Sequence, residues 1–565
     1  MKNKLWKLLT VMIALTMLIT SLVGCTTPTE EPTESPAPEE PVVEPTEEPV
    51  VEPTDEPAPP EPVTMRIGTT FLLDTVNINV SWTSWQMWRL IYDSVVETGE
   101  LGVYRPGLAE SWEVSDDGLV WTFKIREGAT FHDGTPCTAE EVAWSLNWMI
   151  DVGNDSLSYL WWNFTEVVAL DATTLQITTG DPLGNMEYLM FWAFIVPESV
   201  WGQFDTYETM AEFVDLSAAT GTGPYKLAEY EADDYLLLEA NENYWGGKPP
   251  VDTIIFQQYA SEDAMVQALM AGEVDIVDGI PSTALTTLQD LENVQVEIMQ
   301  AYALDELSIN THEDGTQPES LLDPVVRKAI EYAIDREAIN QVAYAGLGTP
   351  GTTMIAPSLG DWHNSEIEAV TFNIEEANRI LDEAGYVDGD DDGIREWSDG
   401  TPLEYRLMAT EGATYARMLE IISDGMAQAG ISAPPTLMDY DSQAALVYAW
   451  DYDLNMWQWG MDIDPDFGMV IFKCEERYEW GWNPNGYCNE DYDALYVQSA
   501  TAVDHEERRA VIWEMQEMIY EARPWIVLVY IPSMQAYDNT AFTGFKTDAA
   551  NIWTKWSIME VEPVQ

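Results

Sequence analysis

The sequence predicts a large α/β protein, because strand-like and helix-like patterns alternate along a chain that is rich in apolar residues. The chain has 565 residues, of which 46% are hydrophobic, and this is enough for large packed cores and for two or more domains. Apolar and polar residues alternate as in strands in LVWTF (119–123) and TFKIREGATF (122–131), and DTIIFQQY (252–259) has an apolar centre typical of a strand.

Helices are indicated by capping signals. Thr138 with Glu141, and Asn373 with Glu376, have the spacing of a capping box at a helix N terminus. A third helix is predicted after Asp323, because an N-cap residue is followed there by proline at the first helical position. Its apolar residues share one face: Val326, Ala329, Ile330, Ala333 and Ile334.

Residues 1–24 have the pattern of a secretion signal. Three lysines precede an apolar run from Leu8 to Val23, and this run is shorter than the roughly 20 residues of a membrane-spanning helix. The residues LVGC (22–25) resemble the lipobox of bacterial lipoproteins, which implies cleavage before Cys25 and attachment of lipid to it. An ordinary signal peptide with an incidental cysteine is the alternative.

Residues 25–63 are predicted to form a lipidated, disordered tether. The segment after Cys25 is rich in Pro and Glu and has no Lys, Arg, Gly or aromatic residue, so it cannot build a core. Proline stiffness and repulsion between carboxylates favour an extended chain. The folded body, residues 64–565, is therefore expected at the outer face of the cell membrane or in the periplasm.

The composition is strongly acidic, with 99 Asp and Glu against 24 Lys and Arg and a formal charge of −75. This charge repels nucleic acids and anionic membrane surfaces, so a polyanion-binding role is excluded. A hydrated acidic surface that keeps an exported protein dispersed is the simpler interpretation.

Seven ordered segments of the body resemble the extracytoplasmic solute-binding proteins of peptide-type ABC importers, which bind oligopeptides, dipeptides or nickel. The first segment runs from YRPGLAESW to FHDGTPCTAEEVAWSLNWMI (104–150). The others follow in order: GTGPYKLAEY (221–230), NENYWGGKPPVDTIIF (241–256), ALMAGEVDIV (268–277), VRKAIEYAIDREAI (326–339), EEANRILDEAGY (375–386) and WGMDIDPDFG (459–468).

The resemblance implies a two-lobed, periplasmic-binding-protein-like α/β fold with an additional N-terminal subdomain and a ligand cleft between the lobes. The lobes are expected to be discontinuous, with a crossover near 305–315 and a return near 530–545. Ligand capture by hinge closure is implied, followed by delivery to a membrane permease and its ATPase subunits. We expect a monomer that is not an enzyme and requires no cofactor.

The resemblance also assigns a structural role to a cluster that looks reactive. His132, Asp133, Cys137 and Glu140 lie within nine positions of one another. Alone, Cys137 with His132 suggests a thiol nucleophile, and His132 with Asp133 and Glu140 suggests a metal site. In the family His132 and Asp133 belong to a strand-to-helix turn and do no chemistry. Cys137 is then a small buried thiol.

A Trp-x-x-Asp segment predicts how the ligand binds. In peptide-binding relatives its aspartate takes the α-amino group of a short peptide, and Trp459 and Asp462 match the pattern. A carboxylate that faces an ammonium in a closed cleft makes a strong charge-assisted hydrogen bond. Because Asp464 and Asp466 follow closely, an acidic loop with only one member in the cleft and three solvated aspartates are the alternatives.

The ligand carboxylate is assigned to Arg417, which stands where some dipeptide-binding relatives carry a basic residue. An exposed helix arginine is the alternative.

The 24 tryptophans outnumber the 14 phenylalanines and favour an oligosaccharide as the second ligand class, although core packing is their common role. Seven lie in segments expected near the cleft: Trp82, Trp85, Trp88, Trp161, Trp162, Trp457 and Trp459.

The segment DGDDDGIREWSD (388–399) has the spacing of an EF-hand-like loop. Asp388, Asp390, Asp392 and Asp399 occupy positions 1, 3, 5 and 12 of such a loop, and oxygen ligands at this spacing suit a structural calcium ion. A solvated acidic turn without metal is the alternative.

Cys474 and Cys488 are predicted to pair, because an exported chain meets oxidising surroundings. By closing the loop between the two cysteines, the bond would stabilise the folded state by about 3 kcal/mol. Two free thiols are the alternative.

The rival class of function is a secreted glycoside hydrolase that uses two carboxylates, although no sequence feature fixes such a pair.

Overall fold

Strands and helices alternate through the part of the chain that the computed structural model describes, residues 61–99, 103–154, 157–397, 399–478, 480–547 and 551–564. The predicted signal peptide, Cys25 and most of the tether lie outside the described residues. The helices are Trp85–Ile91, Ala139–Val152, Met186–Phe191, Glu198–Trp201, Tyr207–Ala211, Glu262–Ala271, Leu285–Gln289, Pro324–Tyr332, Arg336–Tyr344, Ile374–Ala384, Ala413–Gln428, Tyr440–Tyr448, Asp466–Val470, Glu490–Thr501, His505–Ala522 and Lys555–Ile558.

The strands are β1 (Thr64–Thr69), β2 (Val96–Thr98), β3 (Tyr104–Pro106), β4 (Ala109–Val114), β5 (Val120–Ile125), β6 (Phe164–Asp171), β7 (Thr174–Thr179), β8 (Tyr225–Glu231), β9 (Tyr235–Ala240), β10 (Thr253–Gln258), β11 (Ile276–Val277), β12 (Val294–Ile309), β13 (Thr349–Pro350), β14 (Leu407–Thr410), β15 (Pro435–Met438), β16 (Leu454–Gly460), β17 (Trp525–Asp538), β18 (Phe542–Thr543) and β19 (Glu562–Pro563). The largest sheet has the order β15-β14-β16-β12-β17-β11-β1-β10-β9-β8, with β13 also paired to β17.

The long antiparallel strands β12 and β17 connect the two halves of this sheet. Near its C-terminal end β17 also pairs with β11, whereas the second half of β12 pairs with β16. Their mutual register shifts between Gln300 and Leu304. The two strands overlap the segments 305–315 and 530–545 that we expected to connect the lobes.

Two lobes follow from this arrangement. The first lobe contains the chain before β12 and the chain after β17, and its cores include Met65, Ile254 and Trp553. The second lobe contains the chain between β12 and β17, and its cores include Ile330 and Met469. The predicted two-lobed α/β fold is therefore the observed one.

The first lobe carries a second, antiparallel sheet with the order β4-β5-β7-β6. The alternation predicted from the sequence appears in β5, where Trp121, Phe123 and Ile125 are buried and Lys124 is exposed. A strand buries one face when every second residue is apolar, because successive side chains point to opposite faces.

Two of the three predicted helix caps are present. The side chain of Asn373 accepts a hydrogen bond from the Glu376 amide at 3.0 Å, and that of Asp323 accepts one from the Val325 amide at 2.8 Å. The capping box at Thr138 is wrong: the hydroxyl donates to Glu140 at 2.6 Å and does not cap the helix, which still begins at Ala139.

The cluster around His132 packs inside the first lobe. Burial lowers the pKa of His132 to about 4, and its Nε2 lies 3.1 Å from the Gly223 carbonyl oxygen. Cys137 is a buried free thiol, and burial raises its pKa. A neutral thiol is a poor nucleophile, so these residues serve the fold.

In the second lobe, Cys474 and Cys488 form a disulfide.

Among the described residues, the helices are too short or too polar to span a bilayer.

Candidate ligand-binding site

A cavity of about 730 Å³ lies between the lobes. The first lobe lines it with Arg89, Tyr188 and Trp192, the second lobe with Asp462, and the connecting strand β12 with Tyr302. Its volume is typical of pockets that enclose small ligands. Because both lobes contribute to the wall, a ligand in this cavity would contact both.

Asp462 is the sequence-predicted binding residue that reaches this cavity. It follows β16, and its two carboxylate oxygens accept hydrogen bonds from the Tyr188 hydroxyl at 2.8 Å and from the Ile463 amide at 2.7 Å. Burial raises its pKa, while these two hydrogen bonds and the charge of Arg89 oppose the rise. The carboxylate therefore links the lobes and faces the space that a ligand would occupy.

The neighbouring aspartates have other roles. Asp464 is buried and makes two hydrogen bonds to the Arg508 guanidinium, at 2.7 and 2.6 Å. Asp466 is half-buried; burial raises its pKa and the Tyr496 hydroxyl opposes the rise. The interpretation of three solvated aspartates is therefore wrong, and the loop places a single member in the cavity wall.

Three other predicted binding residues lie elsewhere. Trp459 is half-buried and packs on Trp525, with ring centroids 5.2 Å apart. Trp457 packs on Tyr440 at 5.7 Å, and Arg417 is exposed on the helix Ala413–Gln428. None of Trp457, Trp459 and Arg417 is among the described residues that line the cavity. Side chains two positions apart on a strand share a face, and the ring centroids of Trp457 and Trp459 lie 6.3 Å apart.

The other tryptophans that we expected near the cleft divide into three groups. Trp82 and Trp85 line the cavity, and Trp82 is 60% exposed. Trp88 and Trp161 are buried in the core of the first lobe. Trp162 is exposed on the surface.

Arg89 is the main binding candidate that sequence reasoning missed. It lies in the helix Trp85–Ile91, is 5% exposed and lines the cavity. Its signal in the sequence is a single charge within the apolar and aromatic run WQMWRLIY (85–92). A charge in such a run is buried only when the surroundings compensate it.

A buried group of charges near the cavity was also missed. Lys555 hydrogen-bonds Asp93 at 2.9 Å and also bonds Glu97, and Trp245 donates to Asp93 at 2.8 Å. Lys555 is more than 450 residues from both carboxylates. No local sequence pattern indicates a pair with this separation.

In the described part of the chain, three carboxylates of the first lobe line the cavity: Glu97, Glu262 and Asp278. Burial raises the pKa of Asp278 to about 7 and also raises that of Glu262. The same wall also carries the cationic side chains of Arg89 and Lys555.

The acidic loop partly forms the predicted cation arrangement. Asp388, Asp390 and Asp392 are exposed, and each has a carboxylate oxygen within 4.8 Å of the others. Asp399 is not part of this group, and its carboxylate accepts a hydrogen bond from the Thr401 amide at 2.9 Å. Its side chain is one methylene shorter than the glutamate that usually fills position 12.

Comparisons with known proteins agree with this architecture. A family model described as bacterial extracellular solute-binding proteins, family 5 Middle, matches residues 103–478. The chain is 28% identical over 454 residues to the glutathione-binding protein GsiB of Escherichia coli (strain K12), and the alignment covers 78% of this chain and 82% of that protein.

Solved structures of similar fold include AppA, the oligopeptide-binding protein of Bacillus subtilis in complex with a nonapeptide. Its TM-score is 0.70 at 22% identity, covering 89% of this chain and 99% of that chain. NikZ of Campylobacter jejuni, in complex with Ni(L-His), has a TM-score of 0.73 at 21% identity, covering 88% and 99%.

These findings exclude the glycoside hydrolase alternative, since the relatives and the fold are those of binding proteins. The family match covers more than half of the chain, and the fold has the two lobes and the intervening cavity expected of such a protein. The chain belongs to the bacterial extracellular solute-binding proteins, family 5, the substrate-binding proteins of peptide- and nickel-type ABC importers.

Proposed function

We propose that this protein is the substrate-binding lipoprotein of an ABC importer and captures extracellular short peptides in the cavity between its lobes. The observation that carries the proposal is the position of Asp462, a carboxylate of the second lobe in a cavity wall completed by the first lobe. The loaded protein would deliver its peptide to a membrane permease with its ATPase subunits.

Hinge closure gives the proposal its physical mechanism. A ligand that contacts both lobes favours the closed state by the free energy of the contacts that are absent when the lobes separate. The connecting strands β12 and β17 lose regular pairing between Gln300 and Leu304, beside the cavity residue Tyr302. Interrupted pairing makes this segment the natural place for bending.

Similar proteins support a peptide as the ligand. AppA was solved with a nonapeptide, DppA of Helicobacter pylori was solved with the peptide STSA, and GsiB is named for glutathione, itself a tripeptide. The lipid anchor at Cys25 and the extended tether complete the proposal, since they would hold the body close to the permease.

In this proposal Asp462 binds the α-amino group of the peptide. The ammonium would replace the Tyr188 hydroxyl or share the carboxylate with it, and a charged donor makes the stronger hydrogen bond. Burial raises the pKa of Asp462, so acid removes the charge that the ammonium requires. Peptide affinity is therefore expected to fall as the pH is lowered toward the pKa of this carboxyl.

The first prediction is that Asp462→Asn weakens the binding of short peptides by about two orders of magnitude or more. The reason is that removing one partner of a buried charge pair costs about 3 to 5 kcal/mol. Calorimetry with free and N-acetylated peptides measures both effects, and acetylation should weaken binding to the parent to a similar degree. Asp466→Asn, outside the cavity wall, is the matched control and should cost much less.

An oligosaccharide is the second candidate ligand, because Phe71 and Trp82 line the cavity and are 51% and 60% exposed. Flat aromatic faces suit sugar rings. Tight binding of an oligosaccharide that Asp462→Asn leaves unchanged, together with equal peptide affinities across the variants, would refute the peptide proposal. Mass spectrometry of small molecules that copurify with the protein gives an independent answer.

A further inference from the structure

The guanidinium of Arg89 is a buried cation with an unfilled hydrogen-bond donor in the cavity wall. Its Nη1 donates to the Phe191 carbonyl at 3.1 Å and to the Ser94 hydroxyl at 3.4 Å. Its Nη2 is buried and has no hydrogen-bond partner among the described residues. Buried donors in native proteins are almost always satisfied, so an unfilled one needs an explanation.

Aromatic rings fix the position of this guanidinium without supplying an acceptor. Its central carbon lies 3.3 Å from the ring centroid of Phe191 and 4.9 Å from those of Trp192 and Phe194. Burial lowers the pKa of Arg89 to about 10, so the group stays charged at neutral pH. It is a rigid, desolvated cation in a cavity wall.

The neighbouring carboxylates interact with Arg89 but are engaged elsewhere. Glu97 and Asp462 oppose the lowering of the Arg89 pKa, which places both within electrostatic range. Glu97 is bonded to Lys555. Asp462 accepts hydrogen bonds from the Tyr188 hydroxyl and from the Ile463 amide. Within the described residues Arg89 forms no ion pair shorter than 4.0 Å.

Arg89 and Asp462 therefore present opposite charges to one cavity, close enough to influence each other. A ligand group that carries an ammonium and a carboxylate on the same carbon would satisfy both. The planar fork of a guanidinium matches a carboxylate in two parallel hydrogen bonds. The first residue of an ordinary peptide cannot do this, because its α-carboxyl group is consumed in the amide bond.

We propose that the site recognises a zwitterionic α-amino-acid head, with the ammonium on Asp462 and the α-carboxylate on Arg89. The substrate class is then peptides whose first residue is linked through its side chain, as in a γ-glutamyl peptide. This inference rests on the proposed function, and it adds Arg89 as the residue that selects among peptides.

Two isomeric tripeptides test the proposal without altering the protein. The α-linked and γ-linked forms of Glu-Ala-Gly have the same atoms and the same formal charge, and they differ in whether the α-carboxylate is free. Calorimetry should show that the parent protein binds the γ-linked isomer at least about tenfold more tightly. Equal affinities, or preference for the α-linked isomer, would overturn the inference.

Variants of the protein then identify the residue that binds the α-carboxylate. Arg89→Gln should abolish the preference between the isomers, whereas Arg417→Gln, on the exposed helix Ala413–Gln428, should preserve it. If Arg417→Gln abolishes the preference instead, the carboxylate is bound elsewhere and the inference is wrong. Thermal unfolding of each variant confirms that it is folded, and the comparison of isomers on the parent stands without them.

The outcome separates this inference from the proposed function. If Asp462→Asn weakens the binding of both isomers and the parent binds them equally well, the proposed peptide capture is supported and the proposed role of Arg89 is wrong. If neither isomer nor any other short peptide binds the parent, both fail.

Discussion

At the residue scale, three aspartates within five positions have different roles because each meets a different partner. Asp462 faces the cavity, Asp464 pairs with Arg508, and Asp466 is half-buried beside Tyr496. Their sequence environments are almost the same, so the difference arises from the surrounding fold. Substitutions by asparagine should therefore separate binding from stability.

The second prediction concerns Asp464. Asp464→Asn leaves the Arg508 guanidinium buried without its counter-charge, and we expect a loss of about 3 to 5 kcal/mol in the free energy of unfolding. Urea unfolding followed by tryptophan fluorescence measures it. Asp462→Asn is the control, since it should impair peptide binding with a much smaller loss of stability. Equal losses of stability in the two variants would contradict the assignment.

The third prediction concerns a buried acid of the connecting strand β12. Asp305 is fully buried and accepts a hydrogen bond from the Tyr344 hydroxyl at 2.6 Å. Burial raises its pKa from 3.8 to about 6, and the Tyr344 hydrogen bond opposes the rise. A carboxyl whose pKa is raised in the folded state stabilises the fold at low pH, and this contribution is lost as the pH rises through the folded value.

Asp305→Asn removes this dependence. Between pH 4 and pH 8, the unfolding free energy of the variant relative to the parent should rise by about 2 kcal/mol, because a shift of one pKa unit corresponds to about 1.4 kcal/mol and the unfolded carboxyl is already partly ionised at pH 4. Urea titrations at the two pH values give the difference. A difference that does not change with pH would show that Asp305 keeps an ordinary pKa.

At the element scale, the loop after the helix Ile374–Ala384 contains the candidate calcium site. We propose that Asp388, Asp390 and Asp392 hold a structural calcium ion, because their carboxylate oxygens lie within 4.8 Å of one another. Several of these oxygens also accept backbone amides, as in the bond from Gly393 to Asp388 at 2.8 Å. The loop is therefore folded around its own carboxylates.

The fourth prediction follows from mass action. Calcium at 100 times its Kd would stabilise the native state by about 2.7 kcal/mol, so the melting temperature should rise on addition of calcium and fall with chelator. Asp390→Asn should abolish this response, and Asp399→Asn should preserve it because Asp399 lies outside the cluster. A melting temperature that calcium and chelator leave unchanged would remove the site.

At the scale of the whole molecule, the folded body and its attachment are separate problems. The body from β1 onward has its own cores and cavity, whereas the proposed attachment would depend on Cys25. We expect ligand binding to survive release of the body, because the lining of the cavity lies entirely beyond the tether.

The fifth prediction is that Cys25→Ser releases the body into the medium or the periplasm. Lipid on the cysteine would bind the membrane by burying acyl chains, and stable anchoring needs more than one chain. Fractionation of cells that express the parent or the variant measures the distribution. A Ser variant that stays as firmly in the membrane fraction as the parent would show that another element anchors the protein.

Much of the fold was predictable because local patterns specify local structure. The alternation in 119–123 and 252–259 predicted β5 and β10, and the caps at Asp323 and Asn373 predicted helix starts. Thr138 failed as a cap, since its hydroxyl is drawn to Glu140. The order of seven segments identified the family, and with it the two lobes.

The binding site was predictable only in part. The Trp-x-x-Asp pattern predicted that Asp462 faces the cleft, but Trp459 packs on Trp525 and Arg417 lies on an exposed helix surface. Arg89 was visible only as a charge in an apolar run. Its significance depends on the position of Asp462, more than 370 residues further along the chain.

The sequence by itself determined the class of the fold, the family and the residue types available for binding. These properties depend on composition and on spacings of a few residues, which the chain carries at any stage of folding. The tertiary structure alone decided which aspartate faces the cavity, which arginine keeps an unfilled donor there, and that Lys555 pairs with Asp93 and Glu97. Burial and pairing of charges depend on distances between elements that are far apart in sequence, and those distances exist only when both lobes have folded.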